Sequence, residues 1–187
     1  MKQRFARDQA LAVAERIVDE LRPTCSRIQI AGSLRRGRPD VGDIEIVYVS
    51  LTAERPDPAN MFVTIDASLA DERIAELEGS GVFTRRLNKL GRQTYGPLNK
   101  SMVHRASGIP VDFFATREEC WWNYLVCRTG GAINNEMICA AAIARGWHWA
   151  PYGSGFKTDE GRLHAVSSED EVYAFVGLPY RAPKDRP

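Results

Sequence analysis

Asp43 and Glu45 are two acidic residues separated by one apolar residue, Ile44, in a run that otherwise reads as a buried β-strand. Side chains two apart on a strand point to the same face, so both carboxylates would lie together. Magnesium favours carboxylate oxygens and completes its shell with water and substrate phosphates. The spacing therefore predicts a magnesium site for phosphate chemistry, and the alternative is a solvated strand face.

A polar turn before this strand carries Gly32, Ser33, Arg35 and Arg36. Backbone N–H groups at Gly32 and Ser33, with the Ser33 hydroxyl, offer donors to a phosphate, and the arginines add fixed positive charge. The turn therefore predicts a triphosphate-binding element beside the carboxylates. We expect Arg36 to face the phosphates and Arg35 to point outward or to brace the sheet.

A third acidic residue, Asp112, lies in the apolar run Ile109–Phe114, IPVDFF. A carboxylate between Val111 and Phe113 is costly to bury without a partner, and a shared metal ion would supply one. The alternative is an aspartate at a strand end, in water. We therefore expect Asp112 to join the first two carboxylates.

The combination G-S-L-R-R-G followed by G-D-I-E resembles the signature of the nucleotidyltransferase superfamily, and in this extended form it resembles the X family of DNA polymerases, the DNA polymerase β-like nucleotidyltransferases. The resemblance implies that Asp43, Glu45 and Asp112 are catalytic and hold two Mg²⁺ ions, with Mn²⁺ as a possible substitute. It also implies a dNTP substrate, held at Gly32, Ser33 and Arg36.

The resemblance extends in one register along most of the chain, from about Arg4 to Arg186. Arg4 matches an arginine that reaches the triphosphate, although a flexible terminus is the competing interpretation. The run C-R-T-G-G-A-I-N-N is similar to the family's Y-F-T-G-S-x-x-x-N motif and implies that Thr129, Gly130 and Asn135 line the nucleotide pocket. The tail Y-R-A-P-K-D-R also resembles the family's end.

Apolar spacing predicts the elements that must position these residues. A helix is expected over residues 6–22, strands on both sides of the turn, a turn-rich connector at 52–60, a strand and a helix over 61–79, and two helices over 117–144. The predicted fold class is α+β. The resemblance implies a nucleotidyltransferase palm (residues 1–116, a mixed sheet with helices on one face) followed by a small C-terminal α/β subdomain for nucleotide and template (117–187). This organisation resembles the reduced viral members of the family.

The net charge of +1 conceals a basic stretch between Gly79 and Val111, in which no acidic residue occurs. Its predicted hairpin, residues 92–96 and 100–104, could lie along a DNA backbone, because phosphate contacts depend on Lys and Arg. A solvated edge strand is the alternative. The DNA-binding candidates are Arg85, Arg86, Lys89, Arg92, Lys100 and Arg105.

The composition excludes several classes of protein. Four cysteines without a C-x-x-C pair and three scattered histidines indicate neither a zinc site nor a disulfide framework. No apolar run reaches the ~18 residues of a membrane span. We therefore expect an intracellular protein, cytoplasmic or nuclear, without a membrane partner, and a monomer. The resemblance implies that its partners are gapped or primer-template DNA and dNTP.

Five positions depart from the family pattern. Glu45 replaces the usual aspartate, Cys127-Arg128 replace an aromatic pair, and Cys139 and Pro110 stand where basic residues are usual. The extra methylene of Glu45 can displace its carboxylate by ~1 Å relative to an aspartate, and such a displacement can lower the reaction rate about a hundredfold. We expect a low-fidelity, short-gap DNA polymerase of DNA repair. The alternatives are a template-independent nucleotidyltransferase and an inactive nucleic-acid-binding module.

Overall fold

The computed structural model describes residues 3–57, 59–88 and 90–187. The strands are β1 (Phe5–Ala6), β2 (Cys25–Ile30), β3 (Asp40–Val41), β4 (Ile44–Ser50), β5 (Thr52–Asp57), β6 (Asn60–Ser68), β7 (Phe83–Arg85), β8 (Asn99–His104), β9 (Pro110–Ala115), β10 (His148–Trp149), β11 (Gly155–Lys157) and β12 (Leu163–Ala165). The α-helices are α1 (Arg7–Leu21), α2 (Gly32–Arg35), α3 (Leu69–Gly79), α4 (Trp121–Thr129), α5 (Ala132–Ile143) and α6 (Glu169–Phe175).

The central sheet has five strands in the order β2-β4-β9-β8-β7. Strands β4 and β9 run parallel, while every other neighbouring pair in this sheet is antiparallel, so the sheet is mixed. The register of the parallel pair sets Glu45 opposite Asp112. Two residues that are far apart in the sequence are therefore neighbours at the centre of the sheet.

Helices α1 and α3 pack on the same face of this sheet. Their apolar positions, including Ile17, Leu21 and Ile74, form one core with Ile44 and Phe113. Full burial of a side chain such as Leu21 contributes about 1.5–3 kcal/mol. Helix α1 ends at Leu21, and Pro23 follows in a short 3₁₀ turn. The predicted helix and its packing on the sheet are therefore confirmed.

Helix α4 covers the opposite face of the sheet. Tyr124 and Leu125 pack against Val47, Val49 and Phe114, which alternate with the residues facing α1. A separate cluster of buried side chains joins α4, α5, α6 and the three short strands β10-β11-β12. Glu45 and Asp112 share the strand face of Val47 and Phe114, so the acidic residues face the side on which α4 lies.

Helix α6 begins with a reciprocal cap. The Glu171 backbone N–H donates to Ser168 Oγ at 3.1 Å, and the Ser167 backbone N–H donates to the Glu171 carboxylate at 2.7 Å. The Ser168 hydroxyl satisfies a donor that the first helical turn leaves open, and the Glu171 carboxylate binds the backbone just before the helix. The cap fixes the first turn of α6, which carries the buried Glu169.

The predicted connector at 52–60 is wrong. Thr52–Asp57 is a strand that pairs antiparallel with Asn60–Ser68 in a two-stranded ribbon. Pro56 is tolerated because strands at a sheet edge can lose a ladder N–H. The hairpin at 92–104 is confirmed only in its bend and second arm: Gly96 N–H donates to Asn99 O, while residues 92–95 make isolated bridges instead of a strand.

The α+β class with a mixed sheet and helices is confirmed by this architecture. Within the described part of the chain, no helix is both long and apolar enough to cross a bilayer. Lys89, one of the predicted DNA contacts, lies outside the described residues.

Candidate active site

The three predicted catalytic carboxylates lie near the N-terminal end of the β4-β9 pair. Asp43 directly precedes β4, Glu45 is its second residue, and Asp112 is the partner of Glu45 on β9. Asp43 also lines a cleft with Arg86, Leu87, Ser101 and Pro110, among others, whose volume is about 720 Å³. The fold therefore brings together the acidic residues that the sequence singled out.

The Asp112 carboxylate is held by two side chains. Arg86 Nη2 donates to Asp112 Oδ1 at 2.7 Å and to Oδ2 at 2.8 Å. Ser101 Oγ also donates to Oδ1, at 2.7 Å. The partner that burial of Asp112 requires is thus a guanidinium and a hydroxyl. Sequence reasoning missed Ser101, although its place opposite Asp112 on β8 follows from the strand register.

The Glu45 carboxylate is largely enclosed by the protein. Burial, together with the nearby Asp43 and Asp112 carboxylates, raises the pKa of Glu45 to about 7, although the Arg128 and Arg36 guanidinium groups act in the opposite direction. The Glu45 carboxylate lies against Gly32, where a Cβ atom would overlap it. Gly32 also has φ +61°, a conformation that glycine adopts without strain. Gly32 is therefore required by both space and backbone geometry.

As the side chains stand, the described residues include no group of three His, Cys, Asp or Glu side chains arranged to hold a metal ion. The Arg86 and Ser101 contacts occupy the Asp112 oxygens, and Glu45 packs against Gly32. The strands nevertheless fix the three backbones in register, and carboxylates are the donors that magnesium prefers. Metal binding would therefore require new side-chain rotamers but no change of fold.

The raised pKa of Glu45 gives a prediction for the metal-free protein. The folded-state pKa of about 7 lies above the ordinary 4.5, so ionised Glu45 destabilises the fold above pH 7, and this cost disappears as the pH falls toward 4.5. We expect Glu45→Gln to raise the free energy of unfolding by about 1–3 kcal/mol at pH 8 and by much less at pH 5. Urea unfolding in a chelator measures both.

The matched control for this pH effect is Glu160→Gln, because the Glu160 side chain is 73% exposed. This substitution should change stability by less than about 0.5 kcal/mol at either pH. An equal effect of Glu45→Gln on stability at pH 5 and at pH 8 would contradict the raised pKa of Glu45.

The predicted phosphate turn forms the short helix α2. Gly32 and Ser33 begin it, and Arg36 follows its last residue. Arg36 Nη1 donates to the backbone oxygens of Thr129 and Gly130, at 2.5 and 2.9 Å, so Arg36 connects the turn to the end of α4. Arg4 is exposed and pairs with the side chain and the backbone oxygen of Asp40.

The predicted nucleotide residues of the C-terminal half lie at the α4-α5 junction. Thr129 is fully buried and its hydroxyl accepts from Arg35, while Asn135 Nδ2 donates to Cys127 O at 2.9 Å. Arg36 Nε and Asn135 Oδ1 are buried and have no hydrogen-bond partner among the described residues. Unpaired buried polar atoms are uncommon and indicate a ligand or water.

Arg35 does not reach the phosphate turn's open side. Its Nη1 donates to Glu169 Oε1 at 2.6 Å, and Arg186 Nη2 donates to Glu169 Oε2 at 2.8 Å. The expectation that Arg35 points outward or braces the sheet is therefore wrong, because its guanidinium binds Glu169 on α6 instead. Sequence reasoning missed this cluster, because nothing in the spacing of these three residues signals their contact.

Arg128 is a further residue whose place the sequence did not indicate. Its guanidinium lies 3.7 Å from the Phe114 ring centroid and 5.3 Å from that of Tyr152. Arg128 also contributes to the electrostatics of Glu45. Arg128 is thus a cation above the sheet, held by aromatic faces.

The predicted DNA contacts differ in their surroundings. Lys100 is 3% exposed and pairs with Asp71 at 2.7 Å, which contradicts a DNA contact, because the ammonium is enclosed under the hairpin bend. Arg85 pairs with Glu78 and lies over the Tyr95 ring. Arg86 binds Asp112. Arg92 and Arg105 are exposed and remain DNA-binding predictions.

Comparison with known proteins points to one family. Residues 124–187 match the family model of the DNA polymerase beta thumb. No individual curated protein matches the chain. The matched segment begins in α4 and includes the α4-α5 junction, α6 and the tail that carries Arg186. The match supports a relationship to the DNA polymerase β-like X family and, with it, a DNA-polymerase-like function that includes DNA binding.

Proposed function

We propose that the protein is a DNA-directed DNA polymerase that adds dNMP from dNTP to a primer 3′-hydroxyl, filling short gaps in DNA repair. The observation that carries the proposal is the β4-β9 register, which sets Glu45 opposite Asp112 and beside Asp43. The same chain continues into a segment that matches the polymerase beta thumb. Residues 1–116 would form the palm and 117–187 the nucleotide- and template-binding subdomain.

Asp43, Glu45 and Asp112 would hold two Mg²⁺ ions. When bound, such ions lower the pKa of the attacking hydroxyl and neutralise the triphosphate. The donor set fits, since all three are carboxylates and two of them are register partners. The pKa of Glu45 is raised mainly by burial and further by Asp43 and Asp112, and this supports the proposal because a bound cation would stabilise the ionised carboxylate.

The dNTP would bind where α2 meets the α4-α5 junction. Backbone N–H groups at Gly32 and Ser33, with the Arg36 guanidinium, would bind the β and γ phosphates. Thr129, Gly130 and Asn135 would orient the sugar and base from the other side. The buried, unpaired Arg36 Nε and Asn135 Oδ1 support this position, because a polar ligand would satisfy them.

Two alternatives keep specific support. Cys139 is half-buried against the C-terminal core, so it offers no charge to read a base pair, which favours untemplated addition. The contacts of Asp112 with Arg86 and Ser101 resemble a structural ion pair, which favours an inactive DNA-binding module. Both alternatives predict outcomes that differ from templated gap filling.

The decisive experiment is primer extension on a one-nucleotide-gapped duplex and on single-stranded DNA. Each dNTP is supplied separately, first in Mg²⁺ and then in Mn²⁺. Addition on the gap of only the dNTP that pairs with the template base would support the proposal. Addition of any dNTP to the single strand would establish the template-independent transferase. Gap binding without addition in either metal would leave the binding module.

A further inference from the structure

Arg86 contacts the Asp112 carboxylate, which its sequence context does not predict. It follows the last residue of β7, and its backbone N–H donates to Ser101 O at 2.9 Å, so the backbone is anchored to β8. Its side chain then reaches across β8 to β9, where one nitrogen contacts both oxygens of Asp112. A positive charge thus occupies the open side of a proposed metal-binding carboxylate.

This contact competes with any metal ion for the same atoms. A guanidinium and a divalent cation both require the negative charge and the lone pairs of Asp112. With Ser101 also donating to Oδ1, each Asp112 oxygen already accepts a hydrogen bond. A cation that coordinates Asp112 must therefore displace the Arg86 guanidinium or share the carboxylate with it at short range.

The structure gives the Arg86 side chain room to leave. It is 30% exposed and borders the cleft of about 720 Å³ that also contains Asp43. A guanidinium attached through a flexible chain can turn into this cleft without moving β7, whose backbone stays paired with β8. Displacement thus needs a rotamer change, which is faster and smaller than a change of fold.

We propose that Arg86 is a built-in competitor for the divalent cation: it neutralises Asp112 in the metal-free protein and yields the carboxylate when the cation binds. This inference rests on the proposed metal site at Asp43, Glu45 and Asp112. Arg86 is therefore a positioning residue that acts through Asp112, and it lowers the affinity of the site for metal.

The test measures Mn²⁺ binding by the paramagnetic resonance signal of free Mn²⁺, without nucleotide or DNA, for the full chain and its variants. We expect Arg86→Gln to bind Mn²⁺ about tenfold more tightly than the unaltered protein, since a competing charged hydrogen bond is removed. Arg86→Lys, which keeps the charge but replaces the guanidinium with an ammonium group, should fall between them.

The control is Arg85→Gln, which removes the same charge from the neighbouring position. Arg85 pairs with Glu78 and covers Tyr95, so this substitution should change Mn²⁺ affinity by less than about twofold at moderate salt. Thermal melting checks that both variants fold. Tighter Mn²⁺ binding by Arg86→Gln, with unchanged Mn²⁺ binding by Arg85→Gln, supports the proposal.

Three outcomes would overturn it. Weaker Mn²⁺ binding by Arg86→Gln would mean that Arg86 only orients Asp112 for the metal. Equal binding by Arg86→Gln and the unaltered protein, lost in Asp112→Asn, would refute the competition while leaving the metal site of the proposed function intact. No Mn²⁺ binding by any of the proteins would overturn both the competition and the metal site.

Discussion

Asp112→Asn is expected to reduce templated primer extension by about a thousandfold or more, because metal coordination contributes several kcal/mol to phosphoryl transfer and the amide loses the charge that holds the cation. The substitution keeps the size of the side chain and one oxygen acceptor. That oxygen can still accept from Arg86 and Ser101, so the strand pairing of β9 should persist. Single-turnover extension of a gapped duplex measures the effect.

The fold of Asp112→Asn must be shown to be intact by its melting temperature and circular dichroism. Asp159→Asn is the matched control, because the Asp159 side chain is 87% exposed and contacts only His148 among the ion pairs of the described residues. This control should extend primers at the rate of the unaltered protein. An Asp112→Asn protein that extends within about threefold of that rate would refute the catalytic role of Asp112.

Local patterning predicts the elements that carry the site. The apolar positions of α1 recur at helical spacing and all face one sheet, so the helix could be recognised from the sequence. The alternation around Glu45 placed the carboxylate on the opposite strand face from Ile44 and Ile46 in the same way. Such features depend on neighbours in the chain, and the sequence contains them in full.

The errors arise where a partner distant in sequence decides the outcome. Thr52–Asp57 contains Pro56 and several charges, which suggest a turn, but pairing with Asn60–Ser68 makes it a strand. Lys100 looks like a surface cation in a basic stretch. Its strand carries it under the hairpin bend to Asp71, on another element, and a buried lysine requires such a partner.

The carboxylates of the candidate site could be predicted from the sequence, but their arginine partners could not. A D-x-E spacing is fixed by strand geometry, and Asp112 reads as a costly acid in an apolar run. The guanidinium of Arg86 reaches Asp112 only because the sheet order β7-β8-β9 leaves a single strand between them. Arg128 likewise meets Phe114 only because α4 crosses the sheet. The contacts of long side chains depend on which elements are neighbours in space, and sequence periodicity does not determine this.

Glu169→Ala is expected to lower the free energy of unfolding by about 3–5 kcal/mol, the cost of leaving buried charges without their partner. Glu169 is 7% exposed and accepts from both Arg35 and Arg186, and Arg186 is fully buried. Arg186 Nε donates to Arg181 O at 3.0 Å, but Nη1 has no partner among the described residues, so removal of Glu169 would leave that guanidinium poorly compensated. Urea unfolding at neutral pH measures the loss.

The same cluster also joins the phosphate turn to the polymerase-beta-thumb-like segment, because Arg35 belongs to α2 and Glu169 to α6. Asp170→Ala is the matched control: it removes an acid from the same first turn of α6, but Asp170 is exposed, so the cost should stay near 0.5 kcal/mol. Glu169→Gln should fall between the two, since the amide keeps an acceptor but loses the charge. A Glu169→Ala protein as stable as Asp170→Ala would show that the buried arginines are satisfied by solvent, and the cluster would then stabilise neither the tail nor the position of α2.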